Sequence, residues 1–281
     1  MTLLQDHSLE MTGKDVPELE EAVPLIPAGT RVNVTFLSSE DLPTRLTAAA
    51  AVKASGLVPV PHIAARRLTS EGDLRRFLEA LRDAGVSEHI FVIGGDPAEP
   101  MGPYTSALDV IRSGLLPGYG VRHVSVAGYP EGHPDISDGD LWSALRDKTA
   151  ALAQQGLGGS IITQFGFDDD PIVSWIERVR GLGIDLPIRI GVPGPAGIKR
   201  LLGFARRFGI ASSAGIVKKY GLSLTNLVGT AGPDRLIGAL ERRIDPARHG
   251  DVLLHFYTFG GVAATARWIR QFDTVGAPGA R

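Results

Sequence analysis

Apolar residues fall along this chain in short blocks rich in Val and Ile, separated by longer stretches where they recur every three or four positions. The blocks at 31–36, 57–63, 89–93, 121–127, 160–164, 187–192 and 252–257 predict strands. Several are apolar at consecutive positions, as parallel strands buried on both faces require. A less apolar block at 6–11 precedes them and brings the set to eight. The intervening stretches predict helices. Ser39-Glu40-Asp41-Leu42 opens one, and Thr69-Ser70-Glu71 opens another, whose Leu74, Phe77, Leu78 and Leu81 share one face. Others are predicted at 138–155, at 171–182, around Ile198, Leu201, Leu202 and Phe204, at 212–220 as an extra element, and at 233–243 with Pro233 at the helix start. Strand and helix alternate to the end. The expectation is an α/β chain with a single (β/α)8 TIM barrel over residues 1–275 and a loose, flexible tail at 276–281.

The predicted strands end on Glu10, Thr35, His62, Asp96, Tyr129, Gln164, Pro193 and Tyr257. In such a barrel the strand C-termini converge on one mouth, so residues far apart in the sequence meet in one pocket. That pattern points to an enzyme.

A length of 281 residues suits one full barrel. A net charge of −2 gives no long-range pull toward nucleic acid or an anionic membrane. The chain has no Cys, which excludes disulfides, thiol nucleophiles and Cys-ligated metal and fits a cytoplasmic location. The first fifteen residues lack the basic and apolar regions of a signal peptide, and no apolar stretch reaches the length of a membrane span. The seven His residues show no metal-ligand spacing, so no metal site is expected. Gly156-Leu157-Gly158-Gly159-Ser160 precedes a predicted strand instead of following one, which is the wrong context for a dinucleotide fingerprint. Leu residues on the outer helices are numerous enough to support a homo-oligomer interface as well as packing on the barrel.

Five motifs follow one another at the strand ends: Val60-Pro61-His62, Gly94-Gly95-Asp96, Tyr129-Pro130-Glu131-Gly132-His133-Pro134, Ile162-Thr163-Gln164-Phe165 and His255-Phe256-Tyr257-Thr258. In this order the series resembles methylenetetrahydrofolate reductases, barrel enzymes that interconvert methylene- and methyl-tetrahydrofolate. The similarity covers roughly residues 8–270.

The resemblance implies a role for each residue. Glu10 stands where the family keeps the general acid, which protonates the pterin nitrogen so that the methylene bridge opens to an iminium. Such a carboxyl must hold its proton near neutral pH. Asp96 and Gln164 stand at pterin-contacting positions, and Tyr257 lines the folate or nicotinamide cleft. Arg200, with Lys199, is placed to meet the glutamate tail. Thr35, His62, Gly95, Tyr129 and His133 fall at flavin-contact positions. The implied reductant is NADH or NADPH, and the implied partner is a one-carbon derivative of tetrahydrofolate. Each residue also has a plainer reading: Thr35 as an ordinary strand residue, His62 as a satisfied core histidine, Asp96 as a turn residue, Arg200 as part of a solvated face.

The departures from the family pattern bear on the flavin. After the acid the family carries an aromatic residue, two prolines and a basic residue, whereas Met11-Thr12-Gly13-Lys14 follow Glu10. Gly94 replaces an Arg before the Gly-Asp, Phe36 replaces a Tyr, and Gly261 replaces an Arg after the last strand. Counted back from Gly156, Leu145 and Leu152 occupy the positions of an Asp and a Lys that grip the flavin, with Asp140 and Lys148 nearby but shifted; a short insertion before Gly156 would bring Lys148 back into register. Diphosphate binding relies on cations and backbone N–H groups. The expectation is that FAD is bound weakly or not at all, and that hydride passes directly from nicotinamide to folate. The competing readings are a pterin-binding barrel of methyltransferase type and a folate-binding barrel without catalysis.

Overall fold

The computed structural model describes residues 3–207 and 230–275. The helix expected at 212–220 and the tail at 276–281 lie outside the described residues. Eight parallel strands close into a barrel: β1 (Ser8–Met11), β2 (Arg31–Val34), β3 (Val58–Ala64), β4 (His89–Ile93), β5 (His123–Gly128), β6 (Gly158–Phe165), β7 (Ile188–Pro193) and β10 (Val252–Tyr257). Each pairs with its neighbours in sequence, and β1 closes the ring against β10. A separate antiparallel pair, β8 (Ala196–Gly197) and β9 (Thr230–Ala231), lies between the last two barrel strands in the sequence.

Successive side chains on a strand point to opposite faces. Leu9 and Met11 of β1 and Val32 and Val34 of β2 enter the main core between barrel and helices. Their alternates, Ser8, Glu10 and Asn33, face the lumen. This explains the modest apolar signal of the first strand, since half of its residues are lumenal and polar. The lumen has its own small apolar layer of Val60, Phe91 and Ile162, with Ile93 and Ala127 against it.

The outer helices are α1 (Val16–Ala22), α2 (Leu42–Ala54), α3 (Glu71–Asp83), α4 (Ala107–Arg112), α5 (Asp138–Gln154), α6 (Asp169–Gly181), α7 (Ile198–Arg207), α8 (Asp234–Arg243), α9 (Pro246–His249) and α10 (Val262–Val275). Helix α3 buries Leu74, Phe77, Leu78 and Leu81, each worth about 1.5–3 kcal/mol of transfer free energy. Ser70 caps it by accepting from Asp73 N at 3.1 Å. Pro233 is the N-cap of α8 and not its first helical residue. Helices α1, α4, α9 and α10 have no counterpart among the helices expected from the sequence. Three of them are too short for a full amphipathic repeat. Gly158 and Gly159, just ahead of the strand expected at 160–164, begin β6. No helix among the described residues is long and apolar enough to cross a membrane.

One contact in the barrel wall sets the mouth. Thr163 Oγ1 accepts from Gly191 N at 2.8 Å, where the register between β6 and β7 shifts. A Cβ on Gly191 would lie 2.4 Å from Thr163 O and 2.8 Å from the Tyr257 ring, so only glycine admits that ring between β6 and β10.

Candidate active site

Glu10 sits near the end of β1 with 17% of its side chain exposed, and its Oε2 is 3.6 Å from Nε2 of His255. That separation exceeds hydrogen-bonding distance and leaves the carboxyl available to a ligand. His255 is fully buried. Its Nδ1 lies 2.9 Å from Ser8 Oγ and 3.2 Å from Asn33 Nδ2, which fixes the ring plane and turns Nε2 toward Glu10. Two polar lumenal residues on adjacent strands, Ser8 and Asn33, therefore hold one imidazole against one carboxyl.

His62 is buried, lies edge-on to Phe91 with centroids 4.7 Å apart, and has an Nε2 without a hydrogen-bond partner. Burial pushes its pKa down to about 4; the nearby Glu10 charge opposes this shift and His255 adds to it. The imidazole is therefore neutral at physiological pH. Tyr257 donates its hydroxyl to Thr163 O at 3.0 Å and packs edge-on to His255 at 5.0 Å. Burial, then Glu10 and Tyr129, raises its phenol well above the ordinary value. Glu10, His62, His255 and Tyr257, from three strands, thus act on one another across the lumen, with Tyr129, just after β5, acting on Tyr257. Phe165, Phe204 and Phe259 add an aromatic wall beside Tyr257, with Phe204 and Phe259 stacked at 4.0 Å.

The turn after Glu10 is held without prolines. Thr12 donates both its backbone N–H and its hydroxyl to Asp15 Oδ2, at 2.7 and 2.9 Å, and Gly13 N donates to Glu40 Oε2 at 3.2 Å. Proline has no N–H to donate, so a different chemistry fixes the same exit from the strand.

The other expected residues are spread around the rim. Asp96 is 68% exposed and forms a two-pronged pair with Arg67, at 2.6 Å for each hydrogen bond. The Arg67 guanidinium holds its carboxyl below the ordinary range. Gly95 has φ +96°, and a Cβ there would meet Ala64 at 3.2 Å. Gln164 accepts from Phe165 N at 3.1 Å. Thr35 spends its hydroxyl on Met11 O at 2.8 Å, which ties β2 to β1. Tyr129 and His133 meet edge-on at 5.4 Å. Arg200 donates to Phe259 O at 2.8 Å and so secures the loop after β10.

Sequence reasoning assigned no role to His255, Ser8, Asn33 or Arg67. Ser8 and Asn33 were detectable as polar residues at alternate positions of otherwise apolar strands. Arg67 had no such signal, because its contact with Asp96 depends on loop geometry.

The residues available for a flavin diphosphate do not fit that task. Leu145 and Leu152 are buried in the core. Asp140 accepts from Ser137 in the cap of α5. Lys148 is buried with its Nζ toward Ala127 O at 3.4 Å, and burial lowers its pKa to about 8. Gly261 has φ +103°, and a side chain there would run into the Glu18 carboxylate, 2.5 Å from the Cβ position. The left-handed backbone at that position disfavours an arginine.

A family model described as methylenetetrahydrofolate reductase matches residues 12–221. That decides the family. The chain belongs to the methylenetetrahydrofolate reductase family. It is similar to "Methylenetetrahydrofolate reductase (NADH) 1" of Arabidopsis thaliana, with 30% identity over 149 residues, 48% of this chain and 24% of the relative. It is also similar to 5,10-methylenetetrahydrofolate reductase of Salmonella typhimurium, with 29% identity over 210 residues, 73% of this chain and 66% of the relative. The match thus spans about a quarter of the plant reductase's length. Among solved structures, dihydropteroate synthase from Thermus thermophilus aligns with TM-score 0.50 at 14% identity, over 96% of this chain and 94% of that one. This likeness is one of fold.

Proposed function

We propose that this protein reduces 5,10-methylenetetrahydrofolate to 5-methyltetrahydrofolate by direct hydride transfer from a reduced nicotinamide, without bound FAD. The observation that carries the reading is Glu10, a carboxyl set in the mouth beside a buried imidazole and left free for a ligand, in a family member whose flavin-gripping positions are occupied by Leu and Gly. Family membership supports the folate substrate. The name of the plant relative supports NADH as the reductant.

In this reading Glu10 gives its proton to the pterin nitrogen whose bond to the methylene carbon breaks. The iminium that results accepts hydride from the nicotinamide, yielding the methyl group and the oxidised nucleotide. One proton from solvent returns to Glu10, so each turnover consumes one folate, one reduced nucleotide and one proton. Asp96, held ionised by Arg67, accepts hydrogen bonds from the pterin amino and ring N–H groups on the lone pairs that the guanidinium leaves open. Gln164 adds an amide contact, and neutral His62 and Tyr257 exclude water around the acid. Arg200 extends the folate site toward the glutamate tail. Thr35, Gly95, Tyr129 and His133, at flavin-contact positions in the family, shape the pocket for the nicotinamide.

Absorption spectroscopy of the purified protein, followed by FAD titration and assay of reductant oxidation, tests the proposal. A colourless protein that takes up no FAD yet oxidises NADH or NADPH with methylenetetrahydrofolate is the expected result. A stoichiometric flavin spectrum would overturn the flavin-free mechanism. Folate binding without turnover would favour a non-catalytic barrel.

A further inference from the structure

A cavity of about 380 Å³ opens at the C-terminal end of β5 and runs outward between α5 and α6. Its volume lies in the range of small-molecule sites. The walls are two indoles, Trp142 of α5 and Trp175 of α6, with ring centroids 5.8 Å apart and planes inclined by 30°. Trp175 reaches the strand end because residue 128 is glycine: a Cβ there would lie 2.7 Å from the Trp175 ring. Arg178 places its guanidinium over Trp142, 4.2 Å from the ring centre, and makes no ion pair with a described residue. Glu131, Asp138 and Ser174 add polar groups to the lining, two of them carboxyls.

Two residues that border the mouth also belong to the wall of the cavity. Ala127 both lines it and packs against the lumenal Val60–Phe91–Ile162 layer. Tyr129 both lines it and acts electrostatically on Tyr257. Next to the mouth there is therefore a cavity that carries an aromatic surface and a cation. Flat π surfaces stack nucleobases irrespective of sequence, and a guanidinium pairs with phosphate in two-pronged fashion. On the side of α5 that faces this cavity, the chain carries Leu141, Trp142 and Leu145.

We infer that this cavity takes the adenosine half of the reduced nicotinamide dinucleotide, with the base against Trp142 and Arg178 at the diphosphate. The inference rests on the proposed reduction and adds to it the site that holds the distal end of the reductant.

Two measurements test it. Calorimetric titration with ADP-ribose, which carries the adenosine and diphosphate but no nicotinamide, requires no turnover. The wild type is expected to bind it, Trp142→Ala and Arg178→Ala at least tenfold more weakly, and Trp142→Phe almost as well as wild type. In steady-state assays Trp142→Ala is expected to raise KM for NADH at least tenfold with kcat changed less than threefold. KM for reduced nicotinamide mononucleotide, which lacks the adenosine, is expected to stay where it was. Equal ADP-ribose affinity in wild type and Trp142→Ala, or a loss that is the same for both reductants, would overturn the assignment. Failure of both reductants to support folate reduction would strike at the proposed reaction instead, while the ADP-ribose titration would still decide the site.

Discussion

The two poles of the barrel both hold histidines, and they treat them differently. At the floor, where the strands begin, Arg189 is 5% exposed and donates to Asp6 O at 2.6 Å and to Asp6 Oδ2 at 2.8 Å, while Arg31 holds both oxygens of the same carboxylate at 3.0 Å. His123 contacts Ser160 at 3.2 Å, Ser160 contacts Ser125 at 2.9 Å, and His89 lies against His123 at 5.3 Å. At the mouth, His62 and His255 each keep an Nε2 without a partner, and both lie near Glu10, which has no hydrogen bond to either. Buried polar atoms are normally satisfied; His89 Nδ1 at the floor is open too, but at the mouth two open imidazole nitrogens lie near one carboxyl, as a ligand site requires. The floor uses polar groups to close the barrel. The mouth leaves two of them open beside a carboxyl.

The contrast is most sharply broken at Glu10. Glu10→Gln is expected to lower kcat about 10³-fold, the scale of a lost general acid, with the urea-unfolding free energy unchanged within about 0.5 kcal/mol. Equal losses of rate and stability would return Glu10 to a structural role.

Acid comes next in size. His62 and His123 both have folded pKa values of about 4, against 6.5 for the free side chain. As pH falls from 6.5 toward 4 the unfolded chain binds protons that the folded chain refuses, so stability falls over that window and levels off below it. His62, fully buried, contributes a loss of up to about 3 kcal/mol, and the partly exposed His123 contributes less. Unfolding measured across this window should show a shallower slope in His62→Gln and in His123→Asn, with folate KM altered only in His62→Gln.

How much of this was legible before the structure follows the same division. Glu10, His62, Gln164 and Tyr257 stood out because each ends or interrupts an apolar strand, and all four face the mouth or its edge. The barrel itself was readable from eight short strands alternating with amphipathic stretches. His255 was not singled out, because a histidine inside an apolar strand looks like core until its neighbours Ser8 and Asn33 are known to share its layer. Thr35 and Arg200 were legible as polar residues at strand or helix ends, but what they bind is set by tertiary contacts: Met11 O for one and Phe259 O for the other. The α5–α6 cavity was illegible, since its walls come from two helices whose mutual packing no local pattern records.

Two smaller effects sharpen the comparison. Arg189→Met at the floor should cost about 2 kcal/mol, the value of charged hydrogen bonds lost from a buried donor, and leave kcat of the folded protein unchanged. Urea unfolding and a rate assay on the same preparation check both halves. Tyr257→Phe at the mouth removes one hydrogen bond to Thr163 O and should cost about 1 kcal/mol in the same unfolding assay, with little change in kcat. A large fall in kcat would promote the phenol from packing to chemistry.

The most direct test of hydride passing straight from nicotinamide to folate is isotopic. Reductant deuterated at the transferring carbon would be turned over in ordinary water with methylenetetrahydrofolate, and the methyl group of the product analysed by mass spectrometry. Direct transfer predicts one deuterium in nearly every methyl group. A shuttle that parks the hydride on an exchangeable nitrogen loses the label to solvent, so an unlabelled methyl group would contradict direct transfer.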